Sequence, residues 1–179
     1  MKETQSSYPI ENHLNMVKKL KSSGVKIDGV GVQAHWDLAS PSLDQIEQII
    51  LDVHAAGVPV SFTELDISVL PNPWEMVGAE VTQNFSQFEG DSKMSPYPNK
   101  LPKKVQKQLA KRYHDIFQLF VKHSDKIERV TFWGVMDKHS WLNDWPIKGR
   151  TNYPLLFDRN YNPKLAYQSV LEVETKQQN

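Results

Sequence analysis

The chain has 179 residues, enough for about one domain with a sizeable core. Lysine plus arginine and aspartate plus glutamate number 21 each, so no global field draws it to nucleic acid or to an anionic membrane, and a neutral or polar partner is expected. It has no cysteine, which removes disulfides and thiolate metal sites without deciding the compartment. No apolar run approaches the roughly 18 residues of a membrane span, and Met1 to Ser7 lack the apolar centre of a signal peptide.

Ile10, Leu14, Val17 and Leu20 recur at helical spacing and Gly24 follows as a stop, which predicts an amphipathic helix over residues 9–23. A strand is expected over 27–36, with Val30, Val32 and Ala34 on one face and Gly29, Gly31, Gln33 and His35 on the other. Ser40 and Ser42 are candidate N-caps for a helix carrying Leu43, Ile46, Ile50 and Val53, which Gly57 closes. Gly24 and Gly57 stand 33 positions apart, close to the period of a βα repeat.

The next strand is expected over 58–67. Residues 71–103, with Pro71, Pro73, Pro96, Pro98 and Pro102, read as a long loop. Val105, Leu109, Ile116 and Phe120 mark a helix whose opposite, solvated face takes Lys103, Lys104, Lys107, Lys111 and Arg112. A third strand, 129–137, follows. The last helix is expected to start with Asn162 as cap and Pro163 at its first position, and to run through Ala166, Val170 and Val173. Alternating helices and strands predict an α/β fold with a parallel sheet, whose site would gather at the strands' C-terminal ends.

Glu64 and Asp66, two positions apart, close the strand over 58–67 and point the same way, with Val60 and Phe62 beneath them. Isolated carboxylates are costly to bury, so these are either a paired site in a polar cleft or acids at a solvated strand end. His35 ends the neighbouring strand. When protonated its imidazole can donate to both acids; the alternative is a histidine satisfied by backbone. Neither arrangement has the usual metal-ligand spacing, so no metal is expected. Trp36, Trp133, Trp141 and Trp145 fall near the same edge, as core aromatics or as walls of a sugar cleft, where a pyranose ring stacks on an indole.

Gly29 to His35, Thr63-Glu64-Leu65-Asp66, Thr131 to Asp137 with Ser140-Trp141, and Pro154 to Asp158 with Asn162-Pro163-Lys164 and Ala166-Tyr167 together resemble glycoside hydrolase family 10. The resemblance spans residues 8–171 and implies the C-terminal half, strands six to eight with their helices, of a (β/α)8 TIM barrel. It also implies a retaining endo-β-1,4-xylanase that acts on xylan or xylo-oligosaccharides without a cofactor. By the same resemblance Glu64 is the nucleophile, His35 is hydrogen-bonded to it, and Asp66 completes the relay. Gln33 contacts the nucleophile region or the sugar, and Trp133 and Trp141 line subsites on the non-reducing side.

The family's acid/base glutamate follows an asparagine, and no Asn-Glu pair occurs in this sequence. The expectation is therefore that this chain is the nucleophile half of one barrel domain over residues 1–179. An N-terminal half, on a separate chain or a missing segment, would supply the acid/base. Secretion is expected, because the polymer cannot enter cells. The loop 71–103 would shape the leaving-group side through Trp74, Phe85 or Tyr97, or else serve as a structural flap. Two other readings remain open: a non-catalytic carbohydrate-binding remnant, and a family member acting on another β-glycan.

Overall fold

The structure, a computed structural model, describes residues 10–73 and 85–173. Four helices alternate with the strands: α1 (Ile10–Ser22), β1 (Val30–Val32), β2 (His35–Asp37), α2 (Leu43–Ala55), β3 (Val60–Ser68), α3 (Lys103–Lys122), β4 (Ile127–Phe132) and α4 (Leu165–Leu171). β1 and β2 both pair with one side of β3 and β4 pairs with the other, all in parallel. The expected order of adjacent parallel strands is thus present.

The helices form where capping and periodicity coincide. Ser42 caps α2 through a capping box: its hydroxyl accepts from the Gln45 N–H, and the Gln45 side chain returns a bond to the Ser42 N–H. Gly57, at φ +80°, then lets the chain turn out of the helix. Ile46, Ile50 and Val53 of α2 and Leu109, Tyr113, Ile116 and Phe120 of α3 pack on the sheet. Phe62 stacks on Phe120 with ring centroids 4.5 Å apart. This layer is the main core, and complete burial of each large apolar side chain in it contributes roughly 1.5–3 kcal/mol.

The expected strand 27–36 is two short strands. Ala34 sits at φ +69° between them, a left-handed conformation unusual for a residue with a Cβ. Its side chain nevertheless stays on the core face with those of Val30, Val32 and Trp36. Trp36 is 6% exposed and packs edge-on against Phe62, so it belongs to the core and not to an aromatic rim.

β3 departs from simple alternation. Val32 pairs with Phe62, but His35 pairs with Asp66, and on the other side Val130 pairs with Phe62 while Phe132 pairs with Leu65. β3 therefore holds one extra residue between Phe62 and Asp66 relative to both neighbours, a β-bulge. Val60, Phe62, Leu65 and Ile67 consequently all enter the helix-side core, whereas Ser61 bonds Glu128 and Thr63 meets Gly31 on the opposite face. The expectation that Val60 and Phe62 lie beneath the two acids is corrected: the bulge turns Glu64 and Asp66 onto the polar face.

Three further expectations change. Arg112 is 8% exposed, because its long side chain reaches inward to donate to the carbonyls of Asp37 and Pro41; Lys103, Lys104, Lys107 and Lys111 are exposed as expected. Asn162 does not cap the last helix. Its side chain bonds Asp158, Pro163 bridges to Phe157, and α4 begins after Lys164. The third strand ends at Phe132, before Gly134 at φ +131° redirects the chain.

In the connection from β3 to α3, Phe85 is buried with Met94 and Ile147, and the Tyr153 hydroxyl donates to the Tyr97 carbonyl at 2.8 Å. Phe85 and Tyr97 thus pack this segment onto the body of the fold. Trp74 lies outside the described residues.

Candidate active site

His35 is held at the start of β2, directly beside Asp66 in the sheet register, and the bulge in β3 brings Glu64 to the same face. The imidazole lies between the two acids: Nδ1 is 3.0 Å from Asp66 Oδ1 and Nε2 is 3.2 Å from Glu64 Oε2. Burial pulls the imidazolium toward neutrality, but hydrogen bonds to and charges of Asp66 and then Glu64 outweigh it. The His35 pKa rises above its ordinary value. In the protonated form both ring nitrogens donate, one to each carboxylate.

The two acids differ in access. Asp66 has no exposed surface and its Oδ2 accepts from Trp141 Nε1 at 2.8 Å. The Glu64 side chain keeps 21% exposure, and its second oxygen faces the exposed Gln33 amide at 3.5 Å, too long for a strong bond. Asp66 is therefore locked and Glu64 is free to meet a ligand. Asp37 is also committed, since its carboxylate accepts from the Ala39 and Ser40 N–H groups.

Aromatic rings complete the rim. Trp141 lies 4.7 Å from His35 between ring centroids and Trp133 lies 6.3 Å away. Trp133 is 46% exposed and Trp145 51% exposed. A cleft of about 150 Å³ beside the triad is lined by His35, Asp66, Ser68, Trp141, Trp145 and Arg150 among others. Glu64, His35, Asp66, Gln33, Trp133 and Trp141 are thus brought together at one sheet edge. Among the described residues no cluster of three or more side chains is arranged to hold a metal ion.

Sequence reasoning missed the support behind this edge. Asp137, wholly buried, accepts two bonds from Lys164 Nζ and one from the Leu155 N–H. Lys164 also donates to the carbonyls of Tyr153 and Leu155. Burial pushes the Asp137 carboxyl up and the Lys164 amine down, against their mutual attraction. Asn143 ties the loop together, donating to the carbonyls of Asp137 and Ser140 and accepting from Asn152 and Arg159. The available signals were the aspartate closing the expected strand 129–137 and the presence of Asp137 and Lys164 in the motifs that resemble the family, and nothing in the spacing paired the two.

The sequence model of Glycosyl hydrolase family 10 matches residues 2–173. Endo-1,4-beta-xylanase A of Xylanibacter ruminicola is 44% identical over 160 residues, covering 89% of this chain and 42% of its own length. An endo-1,4-beta-xylanase of Geobacillus stearothermophilus is 39% identical, covering 91% of this chain and 44% of its own. Among solved structures, a GH10 endoxylanase retrieved from a sugarcane soil metagenome aligns with TM-score 0.83 and 47% identity, over 95% of this chain and 46% of that one. The Thermobacillus composti GH10 xylanase aligns with TM-score 0.75 and 32% identity, over 92% and 48%. The chain thus spans less than half the length of the relatives it matches, and its parallel strands and helices are the C-terminal part of a (β/α)8 barrel. On the family match, the sequence identity and the superposition together, this chain belongs to glycosyl hydrolase family 10.

Proposed function

We propose that this chain is the nucleophile half of a secreted endo-1,4-β-xylanase that cleaves internal xylosidic bonds with retention. The observation that carries the reading is Glu64: a partly exposed carboxylate at the C-terminal ends of parallel strands, bonded on one oxygen by His35, whose ring in turn lies near Trp133 and Trp141. One solved relative is described in complex with xylotriose, which supports a xylo-oligosaccharide as the ligand here.

In this mechanism a Glu64 oxygen attacks the anomeric carbon, the bond to the leaving oxygen breaks, and a second carboxyl gives that oxygen a proton. Water then attacks the same carbon, the second carboxylate takes its proton, and the bond to Glu64 breaks. The second carboxyl is neither Asp66 nor Asp137, which are buried and fully engaged, nor Asp37, which holds a turn. We assign it to an N-terminal half of the barrel, as a separate chain or a further segment. That half would pair with β1 and β4, each of which pairs on one side only among the described residues. The same engagement of nearby acids favours the rival of a carbohydrate-binding remnant for this chain acting by itself.

The test is a 2-deoxy-2-fluoro xylobioside with an activated leaving group, which needs no proton donor to glycosylate the nucleophile. Mass addition on the peptide carrying Glu64, lost in Glu64→Gln, supports the assignment. Xylobioside binding without mass addition favours the remnant.

A further inference from the structure

The two tryptophans nearest His35 are built for different tasks. Trp133 leaves the end of β4 with 46% of its surface exposed. Trp141 sits in a 3-10 turn, Trp141–Asn143, with its N–H directed at the Oδ2 atom of the wholly buried Asp66 at 2.8 Å and its ring 4.7 Å from the His35 ring. Trp141 is half-buried and lines the cleft, and its in-plane N–H is spent on a buried acid, a bond that a sugar platform alone does not require.

The two oxygens of Asp66 have separate donors, His35 on Oδ1 and Trp141 on Oδ2. With both made, the carboxylate plane is fixed, which fixes the His35 ring and hence the bond from Nε2 to Glu64. The turn that carries Trp141 is itself braced. The Ser140 hydroxyl accepts from the Leu142 N–H, and the Asn143 side chain bonds the carbonyls at both ends of the preceding turn.

We propose that Trp141 is a positioning residue: its indole N–H orients Asp66, and through Asp66 and His35 it sets the attitude of Glu64. This rests on the reading of Glu64 as nucleophile, but the chain Trp141–Asp66–His35 can be tested without it. In the 179-residue protein, NMR should show the Trp141 indole proton protected from exchange relative to those of the exposed Trp133 and Trp145. In Trp141→Phe, which keeps a ring against His35, the His35 Nδ1 proton should exchange about tenfold faster or more, with unchanged Tyr113 and Ile50 signals reporting an intact core. An indole proton exchanging as freely as that of Trp145, or a His35 resonance indifferent to Trp141→Phe, overturns the proposal.

In an active assembly with the complementary half, Trp141→Phe should lower kcat about 10- to 100-fold with KM nearly constant. A rise in KM alone returns Trp141 to the role of platform and overturns the proposal. Positive NMR results with no hydrolysis by the unsubstituted assembly would leave Trp141 as the positioner of Asp66 and remove only the catalytic reading.

Discussion

The Glu64, His35 and Asp66 cluster and the borders of the sheet differ in completeness. In the cluster both His35 nitrogens and all Asp66 oxygens have partners supplied by this chain. At the borders, β1 and β4 pair on one side only among the described residues, and their polar face, with Gly31, Arg129 and Thr131, is exposed. Positioning of Glu64, the proposed nucleophile, is thus a local property of adjacent strands, while closure of the sheet is not. A parallel sheet lets this happen because neighbouring strands present their C-terminal ends side by side.

The largest effect is expected from Glu64→Ala, which removes the partly exposed carboxylate of the cluster. It should lower xylan turnover by a complemented barrel by about 10⁴-fold or more without weakening association of the halves, as measured by reducing-sugar release and by sedimentation. A variant that lost association instead would place Glu64 in the border and not in the cluster.

Lys164→Met probes the clamp behind the site. It leaves Asp137 buried and unpaired, and should cost about 3–5 kcal/mol in urea unfolding. A loss below about 1 kcal/mol would mean that the loop holding Trp141 is stable without the ion pair.

A smaller effect concerns pH. The His35 pKa is raised in the fold, so its stabilisation is fully present below the unfolded value near 6.5 and is lost as pH rises through the raised value. Thermal melts of the wild type and of His35→Gln should therefore differ most at mildly acid pH and converge toward alkaline pH. Divergence toward alkaline pH would contradict the doubly donating imidazolium.

The smallest effect is expected at the exposed Lys111–Asp115 pair on α3, where Lys111→Ala should change stability by no more than about 0.5 kcal/mol. A large loss there would show that the solvated face of α3 carries structure, against its exposure.

The order of elements was legible because helix stops and apolar spacing are local: Gly24 and Gly57 lie where the helices end, both at positive φ. The acids were legible because two carboxylates at the end of an apolar strand are costly without a reason. The bulge was not, since Thr63, Glu64 and Leu65 are ordinary strand residues and the extra position shows only in pairing with two neighbours. Ala34 gave no sign of its left-handed backbone, which sequence reasoning reserves for glycine. Arg112 followed the charged stripe of its helix, yet reach and hydrogen-bonding capacity took it inward. Asn162 and Pro163 had the composition of a helix start, but competing bonds to Asp158 and Phe157 used both first.

The nucleophile role proposed for Glu64 is tested by xylan hydrolysis with this polypeptide alone and mixed with the N-terminal half of a family 10 xylanase, each with Glu64 intact and as Glu64→Ala. That role predicts reducing-sugar release in the mixture, its loss with Glu64→Ala, and none from the chain alone. Activity that survives Glu64→Ala, or silence of the mixture despite binding of both halves and of xylan, would contradict it.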